Sequence, residues 1–396
     1  MERERFAEAV LESLRAHGVT DAEYDAQEFC VRHSHGEMLY LSNVFADATA
    51  AAEEEREGLI DHFVTAMTSG DAVPEDWSSA RALLRAVLRP VTYGLDADID
   101  PVLLTRPAFP FIHEAVVVDL PRTRAYVTED MARGWGVEAD AVFAAARDNL
   151  AAIARPGSPD NLEILRFVDD GDAYFGSWLL VPGWLASYAG GANRPVAFIP
   201  DDQTLLVVPD EPELLEQVFG MVEEQYRESA RQISPQGYTV DDFDRVVPFD
   251  QLGPHPAREP ALRARTGLAA TEYAVQSRFL EAKFERDLDL LPLCDVEPAF
   301  VATVLFQELG GAPVTATIWG EGVEYLLPEA DYVHFVEGDP EDGEIDLVCT
   351  VPFDAVVQIL GLAPLPGLSP TRFEVRQWPD ATALSRLREH SIDMGE

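Results

Sequence analysis

The chain is predicted to be an α+β protein, with mixed and antiparallel sheets covered by helices and arranged in two or three domains. Three observations predict it. At 396 residues it exceeds one typical core. Its 47% hydrophobic and 25% charged content is that of a globular chain. Twice along its length a pair of strand-like segments is followed by a long amphipathic helix, a pattern that favours mixed layers over an all-parallel sheet.

In order, residues 2–16 set Phe6, Val10, Leu11 and Leu14 on one side of a helix. Two alternating segments, about 24–33 and 37–42, precede a helix near 47–68 with Leu59, Ile60, Phe63, Val64 and Met67 turned inward. "SSARALLRAVLRP" reads as a further helix stopped by Pro90, completing a helix-hairpin-helix unit over 1–90. In a central domain, 91–245, "AVVVDLP" and "RAYVT" bracket "PRT" as a hairpin. Thr128 then caps a helix start with acids in its first turn, and "VEADAVFAAARDNLAAI" is an amphipathic helix.

"FVDDGDAYFGSWLL" predicts a strand leading into a helical "VPGWLASYAG". "PVAFIP" and "TLLVVP" form a second hairpin across Asp201 and Asp202, covered by the helix "EPELLEQVFGMVEEQYRES". Residues 246–266 are rich in Pro, lack a period, and are expected to be a connection. A C-terminal α+β domain, 267–396, follows. It opens with a helix at about 267–286 and continues with strands "VTATIWG", "VEYLLP", "DYVHFVE" and "DLVCTVP", the helix "FDAVVQILG" and a last strand "TRFEVRQWP".

The net charge is -42, from 71 acidic against 29 basic residues, with Lys283 the single lysine. Such a field repels phosphate backbones and anionic lipid surfaces, so neither nucleic acid nor membrane is expected as a partner. The acids gather in turns such as "IPDDQ", "VPDEPE" and "EGDPEDGEID", which favours a solubilising surface. An acidic face for a basic protein partner and nucleic-acid mimicry are the alternatives. Apolar runs such as "SWLLVPGW" fall short of the roughly 20 residues that span a bilayer. The N-terminal stretch has no uninterrupted apolar core of a secretory leader. Cys30, Cys294 and Cys349 are scattered and odd in number, which fits a reducing compartment, and a cytoplasmic location is expected.

"EFCVRHSHGEMLY" places Cys30, His33 and His35 within six positions. Strand alternation turns Cys30 and His33 to opposite faces, and "HSHG" has the composition of a turn, so a polar hairpin tip is expected rather than a zinc site. A zinc site would need a second close ligand pair; the chain has no CxxC and no HExxH. P-loop and G-x-S-x-G motifs are also missing, and no metal or cofactor is expected. Asp169, Asp170 and Asp172 offer hard oxygen ligands, yet "DDGD" is more often a turn. Trp178 and Trp184, beside Tyr174, Phe175 and Tyr188, would line a pocket or an interface, or pack a core. These two, the three aspartates and Asp201 and Asp202 are the candidate functional positions.

Without a convergent nucleophile, metal or phosphate constellation, a binding or protein-interaction module is expected rather than an enzyme. A carboxylate-dependent hydrolase, possibly using a divalent metal, is one alternative and would draw on Asp169, Asp170, Asp172 and His113. A nucleic-acid-mimicking inhibitor is the other.

Over roughly 1–245 the order of elements resembles the YtpQ-like bacterial proteins of the domain-of-unknown-function 1444 family. The likeness rests on an aspartate-bearing strand, a helix entry, a helix ending in Asn-Leu and a strand-Pro-turn-strand unit. Here these fall on Asp119, Tyr126, Val127, Thr128, Glu129, Trp135, Asn149, Leu150, Pro200, Asp201 and Asp202. The family's turn is closer to "PNRD" where this chain has "PDDQ", so no role of a basic residue there carries over. The resemblance does not reach past 250, and it implies an arrangement of elements without an activity.

Overall fold

Helix α1 (Arg3–Ala16) buries Phe6, Ala7, Val10 and Leu14, a single stripe at helical spacing. The computed structural model describes residues 2–26, 29–32, 38–41, 44–45, 48–49, 51–68, 73–95, 102–121, 123–158, 163–169, 173–190, 194–285, 296–339 and 344–393. The stripe of α1 packs on an antiparallel sheet of β1 (Glu23–Asp25), β2 (Cys30–Arg32) and β3 (Met38–Tyr40), and on α2 (Arg56–Thr68). Phe29, Val31, Leu39, Ile60 and Val64 complete that core, with Phe63 against it. The side chain of Met67 lies outside the described residues, as do His33 and His35; Cys30 is buried.

The segment expected to be a helix up to Pro90 is helical only over Trp77–Ala80, capped by the Asp76 carboxylate, and a following 3-10 turn, Arg81–Leu83. It then becomes β4 (Leu84–Pro90), which pairs antiparallel with β6 (Ile112–Asp119) from Leu84↔Val118 to Pro90↔Ile112. Leu84, Ala86, Val87 and Leu88 are all buried, so the strand is covered on both faces and its apolar residues run without alternation. β5 (Thr105–Phe109) and β7 (Arg124–Tyr126) complete this antiparallel sheet. The Thr128 hydroxyl caps α3 (Glu129–Gly134) by accepting from the Met131 amide at 3.2 Å. Helix α4 (Ala139–Ile153) packs over β4.

A second antiparallel sheet has the order β12-β11-β9-β10-β8, formed by β8 (Leu165–Val168), β9 (Pro195–Asp201), β10 (Thr204–Pro209), β11 (Gln232–Val240) and β12 (Val246–Pro248). Helix α5 (Pro212–Glu228) covers it with Leu215, Val218, Phe219 and Val222. "VPGWLASYAG" forms a short 3-10 turn, Leu185–Tyr188, where an α-helix was expected.

Residues 246–266 are not a bare connection. They hold β12, a 3-10 turn at Phe249–Leu252 and the first turns of α6 (Arg258–Glu285). Pro260 sits in the first helical turn, where its missing N–H costs nothing. Helix α6 buries residues on several sides, from Ala261 and Leu262 to Tyr273 and Leu280, so no single stripe marks its start. It packs against β11 and also against β15 (Ala312–Gly320).

β13 (Phe300–Val301), β16 (Tyr325–Pro328) and β19 (Arg372–Val375) form one C-terminal sheet. β14 (Leu305–Leu309), β15, β17 (Tyr332–Asp339) and β18 (Glu344–Pro352) form the other, antiparallel except for the parallel β15/β17 pair. Trp319, Phe335, Val351 and Phe373 pack with α7 (Phe353–Leu360) and α8 (Ala381–Glu389) around one core. The whole is an α+β architecture of mostly antiparallel sheets and covering helices. No helix among the described residues is long and apolar enough to cross a membrane.

Candidate binding cleft

The β5–β6 hairpin, helix α6 and the ends of β15, β18 and α7 enclose a cleft of about 680 Å³. One wall is apolar: Pro107, Phe109, Pro110 and Phe111 from the hairpin, with Val91 beside them. Phe111 takes a left-handed backbone conformation (φ 62) at the hairpin turn, and its ring meets Tyr273 of α6 edge-on at 5.9 Å. His113, on β6, also lines this side; burial lowers its pKa, which keeps the imidazole neutral near pH 7.

The other wall is polar and is organised by Asp331. Its carboxylate accepts from the Arg265 guanidinium at 3.1 and 3.2 Å and from the amide and hydroxyl of Thr315, both at 2.8 Å. The Thr315 hydroxyl accepts in turn from the Asp331 amide at 2.9 Å. Arg265 also lies 3.9 Å from Asp250, whose pKa is raised by burial against the pull of that guanidinium. Tyr273 donates its hydroxyl to the Thr371 carbonyl at 2.7 Å and accepts from the Glu329 amide at 2.9 Å, which fixes the strand end that carries Glu329.

Behind Tyr273 lies Arg372, fully buried, its guanidinium 5.3 Å from the ring centroid. It donates to the Gln276 side-chain oxygen (2.6 Å), the Ser277 hydroxyl (2.8 Å) and the carbonyls of Ala302 (2.9 Å) and Leu326 (2.7 Å), all neutral acceptors. Burial lowers its pKa to about 10, so the cation persists at neutral pH. Its five donors in a rigid fork match four acceptors, two from α6 and two at the strands beside it, a task an ammonium with three donors could not perform.

Two acids of the polar wall are not neutralised. Glu329 opens to the cleft, and its pKa is raised by the desolvation there and by repulsion from Asp354, at the start of α7. Among the described residues no cation pairs with either carboxylate. With Asp331 and Asp250 sharing Arg265, the polar wall carries a surplus of negative charge facing proline and phenylalanine rings. Chemically, it can receive a cationic group and desolvate an attached apolar one.

None of the five described positions among the seven singled out from the sequence lines this cleft. Asp169 is buried and closes a loop, its carboxylate accepting from the amides of Ala173 (3.1 Å) and Tyr174 (2.6 Å). Asp170 and Asp172 lie outside the described residues. Trp178 and Trp184 are core residues with rings 5.5 Å apart, and their indole N–H groups donate to the carbonyls of Ala173 (3.0 Å) and Arg155 (2.7 Å). Asp201 stabilises the β9–β10 turn, accepting from the amides of Gln203 (3.0 Å) and Thr204 (2.7 Å), and from the Gln225 amide group of α5 at 2.8 Å. Asp202 pairs with Arg231 at 3.5 Å.

Of the described residues considered for hydrolysis, His113 reaches the cleft and Asp169 does not. Among the described residues no group of three or more His, Cys, Asp or Glu could hold a metal ion. Arg265, Tyr273, Glu329, Asp331 and Asp354 carried no local signal. The nearest to one was "LLPEAD", an acidic pair directly after a buried strand. Comparison with protein-family models, curated proteins and solved structures finds no match.

Proposed function

We propose that the protein is a binding module whose cleft takes a basic segment of a protein partner, an arginine or lysine side chain flanked by apolar residues. The observation that carries this reading is the unneutralised pair Glu329 and Asp354 facing the apolar wall of residues 107–111 across a cavity of about 680 Å³. A guanidinium or ammonium between the two carboxylates would relieve their repulsion, and the neighbouring apolar side chain would dehydrate Phe109 and Phe111. The surrounding net charge of -42 speeds the approach of a basic partner. A cytoplasmic setting and kinship with the YtpQ-like proteins belong to the same reading.

Fluorescence anisotropy with a labelled peptide alternating Arg and Leu tests it. Binding should weaken as salt rises from about 50 mM to about 500 mM, because screening shortens the reach of the acids. A peptide alternating Glu and Leu should not bind. Equal binding of both peptides, or binding of neither, would remove the proposal.

A further inference from the structure

In most sheets with one covered face, the face turned away from the core is polar. The sheet β14-β15-β17-β18 departs from this. Trp319 and Phe335, neighbours in register with rings 5.3 Å apart, mark its core face. The next positions therefore lie on the outer face: Ile318 beside His334, and Val336 opposite Leu347, with Ile345 further along β18. Ile318 is 40% exposed, Ile345 53% and Leu347 62%.

Among the described residues this outer face carries no Asp, Glu, Lys or Arg. The acids of the same strands, Glu308, Glu337 and Asp346, alternate to the opposite side. Its histidine, His334, is held between the Thr350 hydroxyl and the Gln307 side-chain oxygen, each at 2.8 Å, and burial lowers its pKa. The imidazole is thus kept neutral, and a chain of net charge -42 presents one sheet face without charge.

We propose that this face packs against the same face of a second copy of the chain, two sheets stacked about 10 Å apart around a twofold axis. A partner chosen by charge would be drawn to the acidic surface instead. The uncharged face is where two such acidic molecules meet with least repulsion, and an apolar contact with itself requires no complementary charge. A contact centred on Ile318, Ile345 and Leu347 is a small one, at the low end of the roughly 1,000 Å² that a specific interface needs. The dimer is therefore concentration-dependent rather than obligate.

Sedimentation velocity of the intact chain across concentration and salt tests this. The mass should move from 43.7 kDa towards twice that value with concentration. Association should tighten as salt rises, because screening weakens the repulsion between copies, opposite to the trend expected for the cleft. Ile318→Glu with Leu347→Glu should leave a monomer. If that pair fails to fold, Ile345→Lys at the end of the sheet should weaken association at least tenfold, and Phe306→Glu, on the opposite face, should leave it unchanged. A wild-type chain that stays at 43.7 kDa under every condition overturns the proposal, as does a dimer whose strength I345K leaves unaltered.

Discussion

One oxygen of the Glu272 carboxylate accepts both the amide (3.1 Å) and the hydroxyl (2.7 Å) of Thr92. The contact ties α6 to the turn that follows β4. Val91 and Tyr273, the chain neighbours of these two residues, both line the cleft, so the bond holds its opposite walls in register. Glu272 is 3% exposed, and burial raises its pKa to about 7 although both Thr92 donors pull the other way.

This sets a dependence of stability on pH. The folded pKa of about 7 lies above the unfolded value of 4.5, so the stability gained by holding the proton is fully present below about 4.5 and is lost as pH rises through 7. Glu272→Gln keeps an oxygen acceptor for Thr92 and carries no charge at any pH. Urea unfolding should show the variant gaining on wild type by about 3 kcal/mol between acid and mildly alkaline pH. A difference that stays constant with pH would contradict the assignment.

Arg372 should resist its conservative replacement. Arg372→Lys, with three donors, leaves at least one of the four acceptors without its Arg372 bond and removes the flat contact with Tyr273. A loss of about 2 to 4 kcal/mol in unfolding free energy is expected. A change under about 1 kcal/mol would show that the fork geometry is dispensable.

Glu114, fully buried on β6, accepts from Arg106 at 2.6 Å and from Arg147 at 2.7 and 2.6 Å. Glu114→Gln leaves two guanidiniums facing each other, with the exposed Asp140, 3.9 Å from Arg106, as the remaining counter-charge. Because both are about one-third exposed, water recovers part of the cost, and thermal or urea unfolding should register about 2 to 4 kcal/mol. High salt should reduce that loss.

Asp169→Ala removes the acceptor of two loop amides, and a loss of about 1 to 3 kcal/mol in urea unfolding is expected. Peptide binding by the cleft should be unchanged, since Asp169 does not line it. A binding defect at full stability would restore a functional role to this aspartate.

Elements with one covered face were legible in the sequence. Phe6, Val10 and Leu14 of α1 and Leu215, Val218 and Val222 of α5 each form a stripe against polar neighbours. β4 was misread because Leu84 to Leu88 meet apolar neighbours on both faces, and without a polar side neither period can be recognised. The start of α6 was hidden for a related reason, its buried positions circling the helix. The tryptophan cluster was visible as composition, yet only the carbonyls that receive Trp178 and Trp184 N–H groups show that it is core.

The cleft left no trace, because Arg265 and Asp331 are 66 positions apart and Thr92 and Glu272 are 180. Among 71 acids, nothing local distinguishes Glu329 from a surface residue. Its raised pKa comes from the enclosure and from Asp354, and both exist only in the folded chain.

The most direct measurement is the affinity of the Arg-Leu peptide for wild type and for Glu329→Gln with Asp354→Asn, alongside Ala108→Trp, which fills the apolar side of the cleft. The account predicts at least tenfold weaker binding, about 1.4 kcal/mol or more, in the carboxylate variant and in A108W, with melting temperatures close to wild type. Unaltered affinity in both variants would place any binding of basic peptides elsewhere on the acidic surface and contradict the cleft as the binding site.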